Sequence, residues 1–326
     1  MPLAVLLFAG CVKEEAVCES GVVLSFQYLH NPENRDLFGS EVEKVTVFVF
    51  DEAGYYTDSY SESGPRLAQE GYRMSLPLPR GKYTLLVWGG LLDTYIVGEK
   101  TGGTVQPELR KGITKLEDFR LTLDTSPSSR APQPDPNLLV AADPDDLYYG
   151  KAAADVNGMR LQEVKVPLIK NTSKLQFKVT ELPSVGGPSP ADIDDLPYTL
   201  SASGANTMLN GNNGIAAEAP MYGYVPSGFD ADKNAERDIY GIYMGMPRLI
   251  TNNAVDIKLW SEQDQEYLID GNLLTMILSS SDYNSQNDID REDLFLFEVV
   301  VDRRVGLSVT VHINGFEIIS IEPDWK

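Results

Sequence analysis

From residue 21 onward apolar side chains return at every second position, and no other feature constrains the fold as strongly. A period of two places alternate residues on opposite faces of a strand, so the repeat calls for β-sheet with one face buried. Val22, Leu24, Phe26 and Tyr28 alternate with Val23, Ser25 and Gln27, and Tyr72, Met74, Leu76 and Leu78 with Arg73, Ser75 and Pro77. Val45-Thr46-Val47-Phe48-Val49-Phe50 is apolar on both faces, as an inner strand would be, and Asp51-Glu52-Ala53-Gly54 supplies turn residues after it. Arg80-Gly81 leads into a second buried run, Tyr83-Thr84-Leu85-Leu86-Val87-Trp88, which stops at Gly89-Gly90. Phe119, Leu121 and Leu123 close this half, whose strand lengths and turn spacing suit one β-sandwich over 21–124.

Prolines 127, 132, 134 and 136 then interrupt the pattern. They remove backbone donors and hold the chain extended, so 125–136 reads as an interdomain linker, with a long surface loop as the alternative. Beyond it, 137–326 repeats the strand grammar as a second sandwich. Val164, Val166 and Leu168 alternate with Lys165 and Pro167, and Leu175, Phe177 and Val179 with Lys174, Gln176 and Lys178. Later come Val255, Ile257 and Leu259, then Phe295, Phe297, Val299 and Val301. Leu273, Leu274, Ile277 and Leu278 have helical spacing, with Asn272 placed to cap a short helix. Residues 183–236 read as loops. At the C-terminus Leu307, Val309, Val311 and Ile313 alternate strictly, Asn314-Gly315 fits a two-residue type I′ turn, and Phe316 to Ile321, including Ile318, returns as the last strand. The fold class is therefore all-β, two sandwiches in tandem with a short helix and long loops in the second.

The N-terminus has a different grammar. Leu3 to Phe8 is an apolar run, Ala9 and Gly10 are small, Cys11 follows, and Lys13-Glu14-Glu15 turns the chain abruptly polar. This is the layout of a bacterial lipoprotein signal: 1–10 would be removed, and Cys11 would become an acylated first residue on a tether over 11–20. The apolar run is too short to span a bilayer, and no other stretch qualifies as a transmembrane helix. Lys13-Glu14-Glu15 resembles the tag that sends lipoproteins of Bacteroidota to the outer face of the outer membrane; a solvated tether would carry the same charges. With Cys11 acylated, Cys18 has no intramolecular disulfide partner and reads as a free or partly buried thiol.

Composition narrows the function. Forty-eight acidic against 27 basic residues give a net charge of -21, which argues against nucleic acid or an anionic membrane surface as partner. His30 and His312 are the only histidines, and with two cysteines they leave almost no material for a Cys/His zinc site or a His-based triad, so no catalytic residue, cofactor or metal is expected. Asp282 to Asn287 begins like a calcium loop but lacks the glycine and the closing glutamate. Asp143, Asp145 and Asp146, and Asp192, Asp194 and Asp195, could hold a cation, although solvated acidic loops are commoner. Tyrosines at 55–56, 148–149, 222 and 224 could stack on sugars or anchor a protein where they lie in loops. Asn171-Thr172-Ser173 fits the N-glycosylation pattern, which carries no weight in a bacterial lipoprotein.

Several segments, taken in order, resemble the Mfa2/FimB family of fimbrial anchor lipoproteins from Bacteroidales. They are Gly21 to Phe26, Val45 to Asp51 with Gly54, Gly81 to Gly89, Asp146-Leu147-Tyr148-Tyr149-Gly150, and Ile313-Asn314-Gly315-Phe316. The resemblance implies two transthyretin-like sandwiches and a place at the base of a fimbria. Acyl chains on the first cysteine would hold the outer membrane, and the folded part would contact the last stalk subunit. It also implies assembly by strand addition, for which the run Leu307, Val309, Val311, Ile313, Phe316, Ile318 and the first strand 22–29 are the candidates. In stalk and tip subunits of such fimbriae an arginine after the first strand is cut. Arg35 occupies that loop here, and an anchor cut there would lose its lipid. A tip adhesin or a surface glycan-binding lipoprotein is the competing reading, and a secreted hydrolase the weakest.

Overall fold

The structure, a computed structural model, describes residues 20–124, 139–140, 143–158, 160–182, 196–233, 237–304 and 306–321. Among the described residues the chain is mostly β-strand, with few helices, in five sheets. A central sheet runs in the order β12 (Ile169–Lys170), β10 (Tyr148–Val156), β5 (Gly81–Gly89), β2 (Lys44–Asp51), β3 (Tyr56–Ser63). One of its faces meets a three-stranded sheet, β11 (Gln162–Pro167), β1 (Val22–Gln27), β4 (Met74–Leu76). The other meets a four-stranded sheet, β15 (Met208–Asn210), β8 (Phe119–Leu123), β6 (Tyr95–Thr101), β7 (Thr104–Gln106).

These three layers explain why 45–50 and 83–88 are apolar on both faces. Val45, Val47, Val49, Leu85 and Val87 enter the core shared with β1 and β11. Phe48, Phe50, Leu86 and Trp88 enter a separate core with Phe119, Leu121 and Leu209. A conventional two-sheet sandwich would leave the second set in water, at a cost of about 1.5–3 kcal/mol for each large side chain. Gly90, at φ +77, closes the end of β5 against the Asp146 carbonyl, where a side chain would collide with backbone.

The second body has two sheets. One runs β17 (Gly228–Lys233), β18 (Asp238–Pro247), β13 (Thr172–Leu182), β21 (Leu294–Asp302), β22 (Ser308–Ile313), β23 (Phe316–Ile321). The other runs β20 (Glu266–Asn272), β19 (Val255–Ser261), β14 (Tyr198–Gly204), β16 (Tyr222–Tyr224), β9 (Leu139–Val140). Phe177 and Phe297 stack at 4.4 Å in the core between them.

Among the described residues three α-helices interrupt the strands. α1 (Phe38–Glu41) follows β1, and α2 (Leu273–Ser279) begins as its sequence predicts, with the Asn272 side chain accepting the Thr275 N–H at 2.9 Å. α3 (Gln286–Arg291) starts at the end of the stretch that began like a calcium loop, and its Asp288 accepts from the Asn284 N–H and the Ser285 hydroxyl of that stretch.

The residues 125–136 lie outside the described residues, and strand pairing does not respect the division they suggest. β10 pairs with β5, β11 runs parallel to β1, and β15 pairs with β8, so segments beyond 136 complete the first body. β9, between them, pairs with β16 of the second. A run of prolines marks where a strand cannot form; it carries no information on which sheet the next strand joins.

Candidate functional site

β1 is an interior strand. It pairs in parallel with β11 from Val22↔Gln162 to Gln27↔Pro167, and antiparallel with β4 from Val22↔Leu76 to Leu24↔Met74. Val22, Leu24 and Tyr28 are fully buried and Phe26 nearly so. The loop that follows is tied to the end of the strand. Asn31, itself buried, donates through Nδ2 to the carbonyls of Tyr28 at 2.7 Å and Arg35 at 2.8 Å. Asp36 Oδ1 accepts from the N–H groups of Tyr28 and Phe38, and the Leu37 N–H returns to the Tyr28 carbonyl. The Arg35 side chain points outward and pairs with Glu33, so the guanidinium is accessible while the backbone on both sides of it is fixed.

At the end of β1 the two bodies meet around Lys170. Its ammonium, on a side chain only 8% exposed, lies 3.1 Å from Asp146, 3.7 Å from Glu41 and 3.8 Å from Asp293. Tyr28 donates its hydroxyl to Asp293 at 3.0 Å and Tyr148 donates to Glu41 at 2.9 Å. Burial first, then the neighbouring carboxylates, pushes both phenols far above the ordinary tyrosine range, so each keeps the proton it donates to its carboxylate. Beside them Asn171 and Asn213, both buried, exchange amide hydrogen bonds across the junction. Asn171, read as a glycosylation pattern, is thus a packed structural residue.

Sequence reading did not single out Lys170, Glu41 or Asp293, yet two of them left a signal. Residue 170 continues the inward series 164, 166, 168, and residue 293 precedes the inward series 295, 297, 299. A charge at an inward position marks a site that must be paired.

The C-terminal candidate residues form a hairpin at the edge of the six-stranded sheet. β22 lies inside it, between β21 and β23, with Val309, Val311 and Ile313 buried. Leu307 and Ile318 pack against the same core and Phe316 is 37% exposed. Asn314 and Gly315 both take positive φ, as the turn type requires. β23 pairs only with β22 among the described residues, so its outer edge carries free backbone groups.

The remaining candidates resolve differently. Tyr56, Tyr148, Tyr222 and Tyr224 are buried, not exposed in loops. An aromatic pair that sequence reading missed stands on the outward positions of β19 and β20: Trp260 and the half-exposed Tyr267 meet edge-on at 4.9 Å, with Lys258 over the Tyr267 ring. Asp143 accepts the Gly245 N–H, Asp145 accepts from Thr94, and Asp146 serves Lys170 and Thr172, so this acidic cluster is consumed by structure. No cluster of metal-ligating side chains occurs among the described residues, and no helix among them is long and apolar enough to cross a membrane. Cys11, Lys13, Glu14, Glu15, Cys18, Asp192, Asp194 and Asp195 lie outside the described residues.

The family model of the fimbrillin-A associated anchor proteins Mfa1 and Mfa2 matches residues 14–322. None of the curated proteins matches the chain in sequence. Among solved structures, an adhesin candidate of Bacteroides thetaiotaomicron superposes with a TM-score of 0.74 at 21% identity, covering 94% of this chain and 99% of that one. A candidate polysaccharide-binding protein of the same organism gives 0.73 at 22% identity, over 94% and 100%. The fimbrial anchor protein Mfa2 of Porphyromonas gingivalis gives 0.68 at 16% identity, over 92% and 99%. At these identities the structural likeness speaks for the fold.

Proposed function

The chain belongs to the Mfa2 family of fimbrillin-A associated anchor proteins, and from that membership we propose that it is an outer-membrane surface lipoprotein that holds and terminates a fimbria. In this reading Cys11 carries the acyl chains, Lys13-Glu14-Glu15 directs export to the cell surface, and the folded part contacts the last stalk subunit. The work is mechanical and uses no catalytic group.

The observation that carries the reading is the position of β1. A subunit that receives a neighbour's strand needs an open groove in its sheet. Here the place between β11 and β4 is filled by the chain's own first strand, and the loop behind it is tied shut around Arg35. The protein can therefore offer an edge but accepts no strand at that position, which is what a terminating subunit requires. The edge it offers is β23, with Phe316 and Ile318 on the presented strand and Leu307, Val309, Val311 and Ile313 of the run before it fastening β22 to the core. Strand addition there would gain affinity from backbone hydrogen bonds and specificity from alternate side chains.

Deleting the gene tests this. Cells should release long fimbriae into the medium, and cysteine pairs placed on β23 and on the stalk subunit should cross-link in the wild-type assembly. Fimbriae that stay attached but no longer adhere would favour the second reading, a tip adhesin or glycan-binding lipoprotein. The outward Trp260–Tyr267 pair is the feature that speaks for it, and a glycan array answers it directly.

A further inference from the structure

β1 begins two residues after Ser20 and ends at the border of the second body. At its start Ser20 donates to the Leu78 carbonyl; at its end Tyr28 donates to Asp293, at the head of β21. Its parallel partner β11 points the same way and runs on through β12 into β13, an interior strand of the six-stranded sheet paired with both β18 and β21. The chain thus passes from β11 to the second core within a few residues, through the edge strand β12.

We infer that β1 is a mechanical clamp: tension between the N-terminal tether and the second body loads the β1–β11 ladder in shear, and β11 passes that load straight into β13. Parallel neighbours pulled from opposite ends slide along their common axis, so the ladder hydrogen bonds are strained together. Antiparallel strands pulled at a shared end are peeled and yield one bond at a time. Six register pairs, Val22↔Gln162 to Gln27↔Pro167, share the load with the antiparallel pairs to β4. The side chains of Val22, Leu24, Phe26 and Tyr28 are seated in the core, so sliding by one residue would also turn the buried face outward. The charge cluster around Lys170 braces the far end, where β1 abuts the second body.

The clamp rests on the anchoring reading for the direction of pull alone. Single-molecule force spectroscopy tests it on the full chain carrying Cys11→Ser and Cys18→Ser, with one handle at the N-terminus and one at Gly315. A second attachment, Gly103 with Gly315, bypasses β1 through the exposed β6–β7 turn. Unfolding force through β1 should exceed that through the bypass by roughly twofold or more, since forced rupture follows the barrier to unfolding along the loaded path. Cross-linking the facing pair by Ser25→Cys with Lys165→Cys should raise the N-terminal force further and return it to the starting value on reduction. Val23→Cys with Glu163→Cys, one step along the same face, gives a second staple should the first perturb folding. Equal forces by both routes, or staples that form and change nothing, would overturn the clamp. A strong clamp in a chain whose loss leaves fimbriae in place would refute anchoring and not the clamp; a weak one in a chain that does hold fimbriae would refute only the clamp.

Discussion

Lys170 shows how much of this molecule turns on single residues. It brings one positive charge to three carboxylates, Glu41, Asp146 and Asp293, drawn from both bodies. Removing one partner of a buried ionic group leaves the others uncompensated, so Lys170→Met should cost about 2–3 kcal/mol, somewhat below the usual range because the carboxylates are partly solvated. Urea melts of the variant and the parent measure it. Glu292 makes a pH-dependent prediction. Burial raises its pKa above the ordinary glutamate range, Asp293 adds to this, and the hydrogen bond from Tyr283 opposes it. A folded-state value above the unfolded one means this contribution to stability is complete below about pH 4 and is lost as pH rises through the folded value. Glu292→Gln keeps an acceptor for Tyr283 without the charge. It should raise the Tm at pH 7, with the gain vanishing near pH 4; a gain that persists or grows in acid would contradict the assignment.

Among the elements, the strands whose neighbours alternate were legible from sequence, because period two reports burial on one face whatever the partner. α2 and its Asn272 cap were equally legible, since spacing and cap are local signals. α3 was not: it buries only Ile289, too little for a periodic signature. The third layer of the first body was half visible, since 45–50 read as apolar on both faces, but period two cannot name the sheet that covers the second face. Pairing is equally hidden, as β1 with β11 shows, because nothing local in 22–27 refers to 162–167. The loop after β1 makes an element-level prediction. An arginine-specific protease needs an extended segment, and hydrogen bonds on both sides of Arg35 deny it one. The folded chain should resist cleavage after Arg35, and Asp36→Ala should become cleavable there while keeping its circular dichroism spectrum. N-terminal sequencing of the digest decides it.

For the molecule as a whole, the path of the chain matters more than the count of sandwiches. It leaves the first body at β8, contributes β9 to the second, returns for β10 to β12, and later sends β15 back to β8. Bodies woven in this way and closed by the Lys170 cluster and the Asn171–Asn213 pair should unfold together. Trp88 lies in the first body and Trp260 in the second, so in a Trp325→Phe background the Trp88→Phe and Trp260→Phe variants report each body separately. Their denaturation midpoints should coincide, and two separated transitions would mean independent domains. Tethering by residue 11 is the larger claim, and replacing that thiol tests it most directly. In cells expressing Cys11→Ala, labelled fatty acid should vanish from the protein and fimbriae should move from the cell fraction to the medium. Fimbriae that remain on the cells at normal length, with the variant still in the outer-membrane fraction, would contradict it.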